Sequence, residues 1–250
     1  MKPSLTNSLL KSHKTRPAVP IVPQVAKRGI YNTRISAGLN RYTSEENFET
    51  KIIKLHPDLQ HEHKSSLIWL HGRAEDAFDY KELFMLDSLS IVPKTCRVIL
   101  PTAPIRPVTC NKGKMLTCWY DIITLHRPPE MPLDEILALH NQDQMRETVG
   151  VMTDLIDAEV KALGGDHSQV FIGGFSQGGS AAMATYLLYK AGRLGGCVTH
   201  SAANLATIDY ENEVDLELKR QSEICMYNGE ADPTVMPDLC LRTYAILDEH

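Results

Sequence analysis

Val170-Phe171-Ile172-Gly173-Gly174-Phe175-Ser176-Gln177-Gly178-Gly179-Ser180-Ala181-Ala182 is the stretch that decides the fold. It opens as a short apolar run, Val170–Ile172, of the kind expected in a strand covered on both faces. It then passes through glycine, serine and glycine and continues as a helix rich in Ala and Leu to about Lys190. The bend brings backbones so close that only glycine fits at 174 and 178, and it lifts the Ser176 hydroxyl above the sheet. Gly-x-Ser-x-Gly alone recurs by chance. A strand before it and a helix after it give it weight as a nucleophile turn, against the bland reading of a tight turn without chemistry.

Working outward, the same alternation repeats. Toward the N-terminus, Lys51–His56 and Ser66–Leu70 read as a strand hairpin around a polar turn with His61 and His63. A helical stretch follows over about 75–90, then the strand Arg97–Leu100, stopped at Pro101. Residues 101–133 are rich in turn residues and form a long irregular excursion around Trp119-Tyr120-Asp121, the kind of segment reserved for binding or lid roles. Met145, Val149, Met152, Ile156, Val160 and Leu163 mark one apolar stripe of a helix over 134–163, ended by Gly164-Gly165. Toward the C-terminus, Cys197–Thr199 and Ile224–Tyr227 are strands, and Pro237–Glu249 is a helix with proline in its first turn. Strands alternating with helices predict an α/β fold with a mainly parallel sheet and helices on both faces.

Candidate site residues follow from that frame. Ser176 is the nucleophile. The backbone N–H of Gln177, at a helix N-terminus, is one oxyanion donor. The N–H of Arg73, after the strand ending at His71-Gly72, is the other. Asp232, in the turn after the 224–227 strand, is the orienting acid, with Glu230 as runner-up; the bland alternative is a turn acid capping the next helix. Trp119, in the excursion, and His200, at the end of a strand on the chemical edge, are candidates for the substrate channel.

Composition narrows the class. The 250 residues are 43% hydrophobic and 23% charged, as in ordinary globular chains, and no apolar run is long enough to span a membrane. A net charge of −5 gives no whole-chain case for nucleic acid. The six cysteines form no CxxC pair, so neither a zinc ribbon nor a disulfide framework is expected. They fit thiols in a reducing, cytoplasmic setting. Charge is uneven: eight Lys or Arg and no acid precede Glu45, and the other 18 bases face all 31 acids. Residues 1–45 therefore read as a disordered basic tail, with a mitochondrial or plastid transit peptide as the alternative, followed by one domain over 50–250.

The order of motifs resembles the acyl-protein thioesterase family, also described as phospholipase/carboxylesterase or lysophospholipase-like, among the α/β-hydrolases. The matching stretches are Leu70-His71-Gly72, Pro101-Thr102-Ala103-Pro104-Ile105-Arg106-Pro107-Val108-Thr109, Trp119-Tyr120-Asp121-Ile122, Gly173–Gly179 and Gly229-Glu230-Ala231-Asp232-Pro233. The resemblance implies hydrolysis of acyl thioesters or esters through an acyl-serine, with S-acylated proteins or small lipid esters as substrates. It implies no cofactor and no metal, and a monomer or weak dimer touching membranes at most peripherally. It implies the same roles for Ser176, Asp232, Arg73 and Gln177, and a propping role for His71.

Three departures stand out. Arg73-Ala74-Glu75-Asp76 replaces the family's apolar residue followed by Gly-Asp, and Ser201-Ala202-Ala203-Asn204 is smaller than the family's aromatic wall. The third is the base. A further helix, strand and loop need roughly 25–30 residues, and eighteen follow Asp232. His250, at the far end of a helix, is rejected as the base. The sheet is therefore expected to lack its C-terminal strand, the loop bearing the catalytic histidine and the last helix. His56, His61, His63, His126, His140 and His167 read as solvated surface. His200 reads as a partly buried histidine satisfied by backbone, with a substitute base as the alternative. Two functions follow: a serine hydrolase, or a catalytically impaired acyl-binding or interaction module.

Overall fold

The computed structural model describes residues 42–85, 92–128 and 130–249. The first strand, β1 (Tyr42–Asn47), pairs antiparallel with β2 (Ile52–Pro57). The expected tail at 1–45 lies outside the described residues except for 42–45. Those four are strand because Tyr42 is buried and its hydroxyl donates to Pro93 O. Then follow β3 (Ser65–Leu70), α1 (Ala77–Met85), β4 (Cys96–Pro101), a short ribbon of β5 (Ile105–Val108) and β6 (Lys114–Thr117), α2 (Leu133–Ala138) and α3 (Gln142–Ala162). The chain continues through β7 (Val170–Phe175), α4 (Gln177–Leu188), β8 (Gly196–His200), α5 (Tyr210–Glu213), α6 (Leu216–Lys219), β9 (Glu223–Tyr227) and α7 (Pro237–Glu249).

The main sheet runs β1-β2-β4-β3-β7-β8-β9. It is antiparallel at β1, β2 and β4 and parallel from β4 through β3, β7 and β8 to β9. Strand alternation separates two cores. Ile68, Leu70, Ile99 and Ile172 face α3 and α4, whereas Leu67, Trp69, Val98 and Leu100 face α1 with Phe84. Both faces of the central strands are thus covered, as their unbroken apolar runs require.

Three expectations on local structure need correction. The 51–56 and 66–70 strands are not a hairpin, because β4 lies between β2 and β3. The stripe over 134–163 is two helices. Asn141 takes up the Gln144 amide as an N-cap, and His140 bridges to Ile122, so the chain breaks there. The excursion holds the β5–β6 ribbon, where Pro107 is tolerated because a two-stranded ribbon leaves its missing N–H on an edge. Among the described residues β9 is an edge strand. No described helix is long and apolar enough to cross a membrane. His250 lies outside the described residues.

Candidate active site

Ser176 caps α4 with φ 52 and ψ −121, a conformation an L-residue adopts only when its surroundings hold it there. The surroundings do so tightly. A methyl at Gly178 would stand 2.3 Å from His71 O and 2.4 Å from Leu70 O, and one at Gly174 would meet Leu70 O at 2.6 Å. The turn therefore rests on the end of β3, where Leu70 and Gly174 are partners in register. Ser176 N donates to His200 O at 2.9 Å. The serine itself is half-buried.

The loop after β3 uses its amides unequally. Gly72 N donates to Glu75 Oε2 at 2.8 Å, Ala74 N to Thr117 O at 2.8 Å and Glu75 N to Gly72 O at 3.3 Å. The Arg73 N–H has no acceptor among the described residues, and neither does the Gln177 N–H at the start of α4. Two unused amides thus stand at the C-terminal ends of the neighbouring strands β3 and β7. The Arg73 guanidinium runs to Cys110 Sγ at 3.1 Å and to Asn111 Oδ1.

His71 is 1% exposed. Its Nδ1–H donates to Gly72 O at 2.6 Å and its Nε2 accepts Ala103 N at 2.9 Å, which is the neutral tautomer. Burial holds its pKa below the usual histidine range, against the pull of the Gly72 carbonyl and nearby carboxylates. The Gln177 side chain carries a task that spacing could not reveal. Its Oε1 accepts Trp119 N at 2.9 Å and its Nε2 donates to Tyr120 O at 2.6 Å, tying the excursion to the serine turn. Trp119, expected in a channel, is 3% exposed, donates its indole N–H to His71 O at 2.8 Å and packs on the His71 ring. It is a wall of the loop's support rather than a surface open to substrate.

The acid side lies on β8 and β9. Asp232 is half-buried, with Oδ1 accepting Thr234 N at 2.9 Å and Val235 N at 3.0 Å. Burial pushes its carboxyl upward, but those amides, the Ser201 hydroxyl and His200 outweigh it and hold the pKa below the usual aspartate value. Asp232 is thus ionised at neutral pH, and the amides it accepts, at 234 and 235, belong to its own turn and precede α7 rather than capping it. Glu230 is exposed and has no hydrogen-bond partner among the described residues. Ser201, at φ 49, is a second strained residue beside the site that the sequence did not signal. Ala202 and Ala203 are buried, with Ala202 O accepting the Cys240 thiol, so they pack against α7.

The histidines depart from expectation at His63, His200 and His140; His63 is half-buried, its Nε2 2.8 Å from the buried Ser66 hydroxyl, and burial lowers its pKa. His200 is exposed rather than satisfied by backbone; its ring sits between Phe175 at 5.3 Å and Tyr227 at 5.1 Å. It forms no side-chain hydrogen bond among the described residues. His140 is buried, donates to Ile136 O at 2.8 Å and has its pKa lowered to about 4 by burial. The expectation of solvated surface fails there because the break between α2 and α3 turns the ring onto Tyr120. No side-chain hydrogen bond joins Ser176 or Asp232 to a histidine ring among the described residues. No cluster of three His, Cys, Asp or Glu there could hold a metal.

A family profile described as phospholipase/carboxylesterase matches residues 57–249. The chain belongs to that family. A rice protein named probable inactive carboxylesterase is 33% identical over 137 residues, covering 54% of this chain and 51% of that one. Acyl-protein thioesterase 1 of Neurospora crassa is 28% identical over 194 residues, covering 75% and 74%. The crystal structure of Arabidopsis thaliana SOBER1 superposes with a TM-score of 0.62 at 27% identity, covering 74% of this chain and 83% of that one. The chain thus spans about half of one curated relative and three quarters of another. Its α/β-hydrolase fold is the one expected from the sequence, and its relatives include carboxylesterases and acyl-protein thioesterases.

Proposed function

We propose that the protein cleaves acyl thioesters or esters with Ser176 as the nucleophile. The observation that carries this is the serine held at positive φ at the end of β7, with two amides, at 73 and 177, at the ends of the adjacent strands β3 and β7, that no group among the described residues uses. In this reading the Ser176 oxygen bonds to the acyl carbon. The negative charge that develops on the carbonyl oxygen is taken by those two N–H groups, each contributing about 3–4 kcal/mol to the transition state. The leaving thiol or alcohol departs with a proton, leaving an acyl-serine that water hydrolyses to the acid. Asp232 is the carboxylate that would steady a cationic base. S-acylated proteins or small lipid esters are the substrate class, supported by the relative named acyl-protein thioesterase. Action in the cytosol is supported by six cysteines that all stand as thiols.

A second reading, an acyl-binding or interaction module, is favoured by one observation: neither the Ser176 hydroxyl nor the Asp232 carboxylate is bonded to a histidine ring among the described residues. Without a base a serine loses several orders of magnitude in rate. Turnover of a short-chain p-nitrophenyl ester and of an S-acyl peptide by the parent and by Ser176→Ala separates the two. The hydrolase reading expects turnover by the parent that falls to background in Ser176→Ala. Equal rates in the two proteins remove it. A parent at background that nonetheless binds a fatty-acid product favours the module.

A further inference from the structure

Glu75 stands where four contacts converge. Its Oε2 accepts the Gly72 N–H at 2.8 Å and the Tyr80 hydroxyl at 2.7 Å. Its carbonyl accepts the Thr117 hydroxyl at 2.6 Å, and its own N–H donates to Gly72 O at 3.3 Å. The carboxylate lies so close over Gly72 that a methyl there would be 2.9 Å from Oε2. Ala74, between them, is bent to φ 67, with its N–H on Thr117 O. Each of these bonds occupies an amide of the loop or fixes its neighbour, and the Arg73 N–H is the one left over.

We propose that Glu75 is a positioning residue for the oxyanion loop, holding the Gly72 peptide and the strained Ala74 bend so that the Arg73 N–H is kept for the substrate's developing oxyanion. The inference rests on the reading of Ser176 as nucleophile and deepens it. The sequence Arg73-Ala74-Glu75 lacks a glycine at 74, so the bend is not a freely accessible state of the chain. A carboxylate that accepts from Gly72 and Tyr80 together supplies the restraint. Tyr80 is held far above the usual tyrosine pKa by burial and by this hydrogen bond, and so stays a donor throughout the working range. The role needs an acceptor at this place, not a negative charge, which sets it apart from a general electrostatic effect.

The test uses three variants and two readouts. In ester turnover, Glu75→Ala is expected to lower kcat about 100-fold with KM within about twofold, because a displaced donor is lost to the transition state and not to bound substrate. Glu75→Gln, whose amide oxygen still accepts both donors, is expected to keep kcat within about threefold. Tyr80→Phe removes one restraint and leaves the Gly72 bond, so a drop of about 3–10-fold is expected. Amide hydrogen exchange of the 71–76 segment provides a readout that needs no turnover: exchange at least tenfold faster in Glu75→Ala, and near the parent rate in Glu75→Gln. Unchanged kcat in Glu75→Ala, an equal fall in Glu75→Gln and Glu75→Ala, or unchanged exchange in Glu75→Ala each overturns the proposal. Failure of the underlying reading shows separately, as Ser176→Ala turning over ester at the parent rate, and the exchange experiment then still decides whether Glu75 holds the loop.

Discussion

The serine side of the site and the acid side are built to different standards. Around Ser176, strands β3 and β7 are covered on both faces, three of four loop amides are consumed, and a methyl added at glycine 174 or 178 would meet carbonyls at under 3 Å. Two strands away, β9 alternates exposed Glu223, Cys225 and Tyr227 with half-buried Ile224 and Met226, and Tyr227 is 66% exposed. The neighbouring Val198 on β8 is 36% exposed. Asp232 is held by two amides of its own turn, with the Ser201 hydroxyl and His200 beside it from elsewhere in the chain. The difference shows what each half asks of the fold. In the proposed reading, an oxyanion site needs backbone atoms fixed to a fraction of an ångström, and only close packing does that. A carboxylate needs only to be kept ionised, which local amides can do.

The sharpest break of this contrast comes from adding one methyl to each side, beginning with the packed one. Gly178→Ala would place carbon 2.3 Å from His71 O and 2.4 Å from Leu70 O, both backbone atoms of the strand on which the turn rests. Neither can move without carrying β3 or α4. We expect at least about 3 kcal/mol of destabilisation, the upper end for overpacking, and loss of esterase activity with it. Denaturant titration measures the first. A change below about 1 kcal/mol would mean that the serine turn is not seated on β3 as described.

The next effect is pH dependence on the serine side. His140 has a folded pKa of about 4 against an ordinary value of 6.5. Between those values the unfolded chain binds more protons, so stability rises with pH across that window, is complete above about 6.5 and is lost progressively as pH falls toward 4. The full span amounts to about 3 kcal/mol. Urea midpoints at pH 7, 6, 5 and 4, compared with His140→Gln, read it out. The variant should flatten the profile, because its side-chain amide can donate to Ile136 O without titrating. His71, also held low by burial, adds to the same slope and stays in the variant.

These features were not equally legible in the sequence. The parallel sheet and the serine turn could be read because strand runs such as Leu67-Ile68-Trp69-Leu70 are apolar throughout, and because Gly174 and Gly178 are glycine for a steric reason that leaves a mark. Arg73 and Gln177 could be found by their offset from those marks. The β2–β3 relation is not legible because sequence neighbours need not be sheet neighbours when a strand such as β4 returns between them. The break in the 134–163 stripe is not legible because the apolar period survives it, and a polar Asn141 cap imposes it without altering the stripe. Trp119 looked available because aromatic residues in a turn-rich segment often face ligand. Only the Gln177 side chain, reaching across 58 residues, shows why it is interior. Glu75 was visible only as a departure from the family pattern.

The smallest expected effect lies on the acid side. A methyl at Gly229 would find its nearest atom, Asp232 Cβ, at 4.0 Å, an ordinary contact, and Gly229 does not occupy the left-handed region that favours glycine. Alanine there restricts the unfolded chain more than it disturbs the folded one. Gly229→Ala should therefore change stability by no more than about 0.5 kcal/mol, toward stabilisation, in the same titration that condemns Gly178→Ala. The carboxylate's two amide donors lie on the far side of Asp232, at 234 and 235, so its ionisation should be unaffected. A loss above about 1 kcal/mol would show that the acid turn is packed by more than its own amides. The contrast between the two halves of the site would then narrow to the nucleophile turn alone.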